Sequence, residues 1–220
     1  MSKIVVFDSG YGGELFADFL EERLGCAVDV IRVIDWRHAE TYLTDPRAAR
    51  RLAEAALRPY LGSVDLVFFA NHLLSLTSLK YFRQRYKNQL FLGLDFLDPS
   101  KFIRQNLLIL TTRQLAKTLN FRNYLFRLRA NKKVIQLDHW PALIDDGELT
   151  EEMIITELAP FVETFNPDAV ILTCSQFSDI AEELLKAAKY RAKIYDSFDD
   201  SYREVCRALR LRGAAAKRKK

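Results

Sequence analysis

Short runs of continuous apolar residues alternate along the chain with stretches of helical period. Lys3–Phe7 (KIVVF) reads as a strand buried on both faces. Gly12 and Gly13 open a helix that places Leu15, Phe16, Phe19, Leu20 and Leu24 on one side. Val28–Ile34 is a second strand. Asp45-Pro46 is an N-cap followed by proline at the first helical position, and the helix behind it buries Ala49, Leu52, Ala56 and Tyr60. Asp65–Ala70 predicts a third strand, a helix runs from about Leu73 to Arg85, and Gln89–Leu94 predicts a fourth strand. The second half repeats the scheme. Asn106–Thr112 is a strand, and one helix carries Leu115, Leu119 and Leu125. Lys133–Leu137 is the next strand, and Thr150 caps a helix through about Phe165. Ala169–Cys174 is followed by a helix through Lys189, Lys193–Tyr195 is the last strand, and a helix from about Asp200 closes the chain.

Continuous apolar strands separated by helices predict an α/β fold with parallel sheets covered on both faces. Four strands in each half point to an internal duplication. Val5 to Val67 and Ile109 to Ile171 are both 62 positions apart. In open parallel sheets, ligands bind beyond the carboxyl ends of strands. The expected arrangement is therefore two pseudo-symmetric domains with a cleft between their strand ends, joined by a short connection near Asp95–Lys101.

Composition sharpens this picture in two places. The chain is 49% hydrophobic and 28% charged, a balance that excludes disordered and collagen-like chains. No apolar run reaches the ~18–20 residues of a membrane span, and the early Asp8 interrupts any secretory core. Three cysteines without a CxxC pair suggest neither a disulfide framework nor a zinc site, so a reducing, cytoplasmic setting is expected. The net charge of +4 sits in the tail: residues 207–220 carry seven basic residues and no acid, and the rest of the chain is net −3. That tail reads as a solvated end, and no nucleic-acid or membrane partner is expected.

Three predicted strand tips carry candidate chemistry. Asp8-Ser9-Gly10-Tyr11-Gly12-Gly13 is a glycine-rich turn running into a helix, where backbone N–H groups can cradle a carboxylate or phosphate. Its other reading is a tight strand-to-helix turn. At Asn71-His72, asparagine offers a donor and an acceptor, and histidine ordinarily titrates near neutral pH. Cys174 in Thr173-Cys174-Ser175-Gln176 precedes a helix whose N-terminus can lower the thiol pKa. Its alternative is a small buried hydrophobe. Cys26 and Cys206 read as structural.

Taken in order, Asp8-Ser9-Gly10-x-Gly12-Gly13, Asn71, Cys174 and Tyr195-Asp196-Ser197 resemble the aspartate/glutamate racemase family, and within it the glutamate racemases. The resemblance covers about Lys3 to Cys206. It implies two flavodoxin-like α/β domains, residues 1–95 with 197–220 and residues 96–196, and no cofactor or metal. It also implies a small acidic amino acid or carboxylate as substrate, D-glutamate supply for the bacterial cell wall, and a possible homodimer. In the family two cysteines flank the substrate α-carbon, one removing the proton and the other returning one from the opposite face.

The resemblance points to Cys174 and Asp8 as catalytic candidates, to which His72 is added from its place two positions after Ala70, and to Ser9, Tyr42, Asn71, Thr112 and Ser175 as substrate-binding candidates. It also shows departures. The family's Ala-Cys-Asn-Thr pattern reads here as Phe69-Ala70-Asn71-His72, with Ala70 in the place of the first cysteine. The histidine after the second cysteine is Gln176, the loop's Pro-Tyr-Gly is Thr41-Tyr42-Leu43, and the second threonine of Thr-x-x-Thr is Leu115. If the third strand persists that far, Ala70 and His72 share a face and His72 can stand in for the lost thiol. Two functions are expected. One is an enzyme using Cys174 with His72, Asp8 or a water, including single-cysteine decarboxylase or isomerase forms. The other is a non-catalytic descendant that binds a carboxylate or a protein partner.

Overall fold

The computed structural model describes residues 1–217, without the side chains of Cys26 and of residues 211–217. Residues 1–95 and the closing helix form one unit, and Phe96–Ser197 form a second. In chain order the first unit has β1 (Ser2–Asp8), α1 (Tyr11–Leu24), β2 (Val28–Ile34), α2 (Ala39–Thr44), α3 (Pro46–Leu57), β3 (Leu66–Phe69), α4 (His72–Arg85) and β4 (Phe91–Gly93). The second unit has β5 (Asn106–Thr111), α5 (Arg113–Ala116), α6 (Leu119–Arg127), β6 (Asn131–Gln136), α7 (Trp140–Asp145) and α8 (Glu151–Phe165). It continues with β7 (Ala169–Leu172), α9 (Ala181–Ala187) and β8 (Lys193–Tyr195), before α10 (Phe198–Lys217) joins the first unit.

Each unit holds a four-stranded parallel sheet, in the orders β2-β1-β3-β4 and β6-β5-β7-β8. The fold is α/β and internally duplicated. The 62-residue spacing is the strand register itself: Val5 pairs with Val67, and Ile109 pairs with Ile171. Further bonds repeat between the units. The Lys3 and Asn106 amides donate to Asp65 and Asp168 carboxylates at 2.9 and 2.7 Å. The Ala70 amide donates to the Phe7 carbonyl, and the Thr173 amide to that of Leu110.

Strand alternation divides the first core. Ile4, Val6, Phe68 and Ala70 pack with Phe16 and Leu20 of α1 and with Phe198 and Val205 of α10. Val5, Phe7, Val67 and Phe69 face the other way, onto Tyr42, Ala49, Ala53, Leu57 and Phe82. Asp45 caps α3 by accepting from the Arg47 and Ala48 amides, with Pro46 in the first turn, as the sequence indicates.

Three expectations about elements are corrected. The helix assigned to Leu115, Leu119 and Leu125 is two helices with a break at Lys117-Thr118, where Thr118 caps α6. This cap turns the inward face of α6 to Phe121 and Tyr124 and leaves Leu119 70% exposed. The helix expected directly after Cys174 is a 3-10 turn at Ser175–Ser178 followed by α9. Finally, β3 stops at Phe69, so neither Ala70 nor His72 belongs to a strand.

Candidate functional site

In the first unit the tip of β1 is organised around Asp8. Its carboxylate, almost fully buried, accepts from the Ser9 amide at 2.6 Å and from the Asn71 side-chain amide at 3.1 Å. Gly13 makes this packing possible. A Cβ there would clash with the Asp8 side chain and lie 2.7 Å from Ile34 Cδ1. The glycine turn therefore serves close packing onto Asp8, and the Gly13 amide donates to the Gly10 carbonyl. Ser9 is buried beside Asp8.

Asn71 is half-buried and is the N-cap of α4. Its side-chain oxygen accepts from the Leu74 amide at 2.9 Å while its NH2 reaches Asp8. One side chain thus ties the tip of β1 to the start of α4.

His72 is placed otherwise than expected. It is the first residue of α4, buried, and burial pushes its pKa down to about 4, against a hydrogen bond with the Asp95 backbone that pushes the other way. At neutral pH it is uncharged, so it is not the group titrating near pH 7 that its residue type suggested. Ala70 is 0% exposed, within the apolar cluster under α1 and α10. The expected sharing of a face by Ala70 and His72 fails because the strand ends first.

Tyr42 is also buried, edge-on to Phe7, and its hydroxyl donates to Asp35 at 2.9 Å. Burial, then Asp35, raises its pKa well above the tyrosine norm. Asp35 additionally meets His38 Nδ1 at 2.9 Å, and its amide donates to the Asp8 carbonyl. Sequence reasoning missed Asp35; its position directly after β2, beside the tip of β1, was the available signal.

In the second unit Cys174 is half-buried at the end of β7. Its thiol donates to Gln176 Oε1 at 3.6 Å. The Gln176 NH2 donates to Asp145 Oδ1 at 2.5 Å and to the Pro141 carbonyl at 3.3 Å. Both amide protons point at α7, which turns the amide oxygen toward sulfur. Neither Asp145 nor the role of Gln176 as an acceptor was read from the sequence, since α7 itself was not. Ser175 is buried at the start of the 3-10 turn. Thr112 is half-buried, and its carbonyl accepts from the Ala116 amide as α5 begins.

The duplication fixes which residues correspond. A shift of 103 residues carries the β1–β3 bonds onto the β5–β7 bonds, so Asp8 matches Thr111, Ala70 matches Thr173 and Asn71 matches Cys174. Backbone geometry agrees: Asn71 (φ −119°, ψ 120°) and Cys174 (φ −119°, ψ 130°) each cap the next helical segment. The first-unit counterpart of the thiol is therefore Asn71. The family motif places Ala70 there, whereas the repeat of this chain's own strand bonds places Asn71.

No protein-family model matches the chain, and no curated protein matches it. Solved structures do. Escherichia coli glutamate racemase, in complex with L-glutamate and the activator UDP-MurNAc-Ala, superposes with a TM-score of 0.82 at 20% identity. That match covers 95% of this chain and 82% of the other. The fold is that of the glutamate racemases. The Francisella tularensis glutamate racemase, in complex with D-glutamate, gives 0.74 at 17% identity over 96% of this chain and 82% of that one. An aspartate racemase from Picrophilus torridus gives 0.59 at 14% identity, over 91% and 90%.

Among the described residues no group of three or more His, Cys, Asp or Glu is arranged to hold a metal ion. Among them, too, no helix is long and apolar enough to cross a membrane.

Proposed function

We propose that this protein is a cofactor-independent, racemase-like enzyme that moves the α-proton of a small acidic amino acid, with Cys174 as the proton-carrying thiol. The observation that carries this reading is the position of Cys174: a half-buried thiol on the N-cap residue of the turn that follows β7, on a racemase fold. An α-proton of an amino acid is very weakly acidic, so its removal needs a strong base and donors for the developing charge. The thiolate of Cys174 takes the proton, and the sulfur then holds it as S–H. Asp8, Ser9 and Asn71 in the first unit and Thr112 and Ser175 in the second are the polar groups proposed to orient the substrate.

Inversion also requires a proton from the opposite face. An amide such as Asn71 carries no exchangeable acid of useful strength, and His72 is held neutral with its pKa near 4. Asp8, which accepts from Ser9 and Asn71, and the neighbouring Asp35 are the carboxyl groups at that tip, and either would have to take up a proton before it could deliver one. A chain with one thiol in this role exchanges the α-proton on one face faster than it inverts the centre. The second reading, a carboxylate-binding protein without turnover, draws on the same observation that Asn71 stands where a second thiol would.

The deciding experiment is incubation of L- and D-glutamate and aspartate in D2O, following deuterium at Cα by NMR. Exchange that disappears in Cys174→Ala supports the enzyme. Exchange absent from the intact protein with both enantiomers removes it. Melting shifts with dicarboxylic or amino acids then report the binding role.

A further inference from the structure

The charge of the second unit is sorted along its sequence and, apart from Lys133 over Phe161 of α8 and Asp138 beside Arg113, between its two faces. From Pro99 to Leu137 there are nine Lys and Arg and no Asp or Glu, whereas Asp138 to Ser197 hold 13 acids and four bases. In the sheet, β5 lies between β6 and β7, so the β5-to-β6 and β6-to-β7 crossovers run in opposite directions. Right-handed connections then put them on opposite faces. The α5–α6 crossover covers one face, and α8 and α9, which pack together, cover the other. A basic surface and an acidic surface cancel in the net charge, which hid both when charge was summed along the chain.

The basic surface also carries large apolar side chains. The outward side of α6 presents Leu119, Arg122 and Phe126, spaced three and four residues apart. Leu119 is 70% exposed, Phe126 90% and nearby Ile103 53%. Ile103, Phe126, Arg127 and Arg129 line one shallow depression. Asp98 sits at its rim and accepts from the Ser100 amide. Among the described residues Arg104, Lys117, Arg122 and Arg129 form no ion pair with a carboxylate.

We propose that this face docks the chain on an anionic phospholipid surface. Ile103, Leu119 and Phe126 enter the boundary between headgroups and acyl chains, and the surrounding arginines and lysines meet lipid phosphates and carboxylates. The acidic α8–α9 face is repelled by the same surface, which orients the molecule. A single-stranded nucleic acid fits less well. Such binders present aromatic rows on which bases stack, and two of the three tips here are aliphatic.

The test is co-sedimentation of the full chain with phosphatidylcholine vesicles, with and without phosphatidylserine. Binding is expected only with phosphatidylserine and should weaken with salt. The Arg122→Glu/Arg129→Glu pair should lower partitioning by about tenfold or more. Leu119→Ser/Phe126→Ser, at exposed positions and with an unchanged circular dichroism spectrum, should also lose binding. Glutamine at the four tail positions 217–220 should leave binding in place. No sedimentation with anionic vesicles overturns the proposal, and so does loss of binding on changing the tail alone. Gel-shift binding to a single-stranded oligonucleotide at lower concentration than to vesicles, or salt-sensitive self-association abolished by Arg122→Glu/Arg129→Glu, assigns the face to another occupant and likewise overturns it.

Discussion

The two units repeat one backbone scheme and differ in what stands at the same place on it. At the end of the third strand of each unit the chain leaves the sheet through a residue that caps the next helical turn. In the first unit that residue is Asn71, whose side-chain oxygen accepts from the Leu74 amide and whose NH2 donates to the Asp8 carboxylate. In the second it is Cys174, whose thiol meets one amide oxygen. The neighbours diverge in the same sense. His72 is buried against the Asp95 backbone, whereas Ser175 and Gln176 lead into a turn anchored on α7. The first tip is built to hold two elements together, and the second keeps a reactive atom. On the proposed reading, function divides between the copies: structure and orientation in one, proton chemistry in the other.

The sharpest test removes the chemical half. Cys174→Ala should reduce α-proton exchange by about 10²–10⁴-fold, the usual worth of a general base, with little change in Tm for a half-buried thiol. Isotope exchange and thermal melting read the two parts separately. A mutant that keeps its exchange rate breaks the asymmetry outright.

The next test puts a thiol in the first copy. Asn71→Cys should raise racemisation relative to exchange, on the order of 10²-fold, because a second acid then stands at the matching position. It should also lower stability by about 1 kcal/mol through loss of the α4 cap. Ala70→Cys is the informative control. Its position is 0% exposed, so the added sulfur should cost roughly 1–3 kcal/mol by overpacking and give no activity. If Ala70→Cys is the gain-of-function variant, the 103-residue correspondence is wrong. Polarimetry and chiral chromatography distinguish the outcomes.

These positions differ in how far the sequence alone reaches them. The strands were legible because fully buried parallel strands leave uninterrupted apolar runs, and the 62-residue spacing was legible because pairing partners sit on two such runs. The Asp8 turn was legible because glycines cluster where backbone packs closely against neighbouring side chains, here Asp8 and Ile34 on Gly13. Ala70 and Asn71 were not separable in that way. A motif tolerates a one-residue slip, whereas a hydrogen-bond register does not. Leu119 misleads for a related reason: the helical period of the leucines continues across Thr118, while the Thr118 cap restarts the helix there. The environment of His72 depends on Asp95, 23 residues away, and no local pattern carries it.

His72 supplies the third prediction. Its pKa is lowered in the folded protein to about 4, from about 6.5 in an unfolded chain. Between these values the unfolded state binds more protons, so folding stability is full above about pH 6.5 and falls as pH drops toward 4. The loss amounts to a few kcal/mol. Urea unfolding across this range should show the slope, and His72→Leu should flatten it. A slope unchanged by the substitution places the acid sensitivity elsewhere, and His72 would then be no more constrained than its second-unit counterpart Ser175.

The smallest effect concerns how the thiol is held. Because Asp145 and the Pro141 carbonyl take both Gln176 amide protons, the amide presents oxygen to sulfur, and oxygen accepts from S–H but repels a thiolate. That contact favours the protonated thiol. Asp145→Ala removes the stronger anchor and lets the amide turn its NH2 toward sulfur, which favours the thiolate instead. Cys174 alkylation by iodoacetamide at neutral pH should then quicken by a few-fold, and its midpoint should move to lower pH. Gln176→Leu removes the acceptor without supplying a donor, so its midpoint should lie between those of the intact chain and Asp145→Ala. This ordering separates a directed amide from mere crowding, because crowding predicts that every substitution at the α7 contact accelerates alkylation without moving the midpoint. It also bears on the proposed division between the copies: an acceptor facing sulfur is one contact that must turn or be offset before the thiol serves as a base.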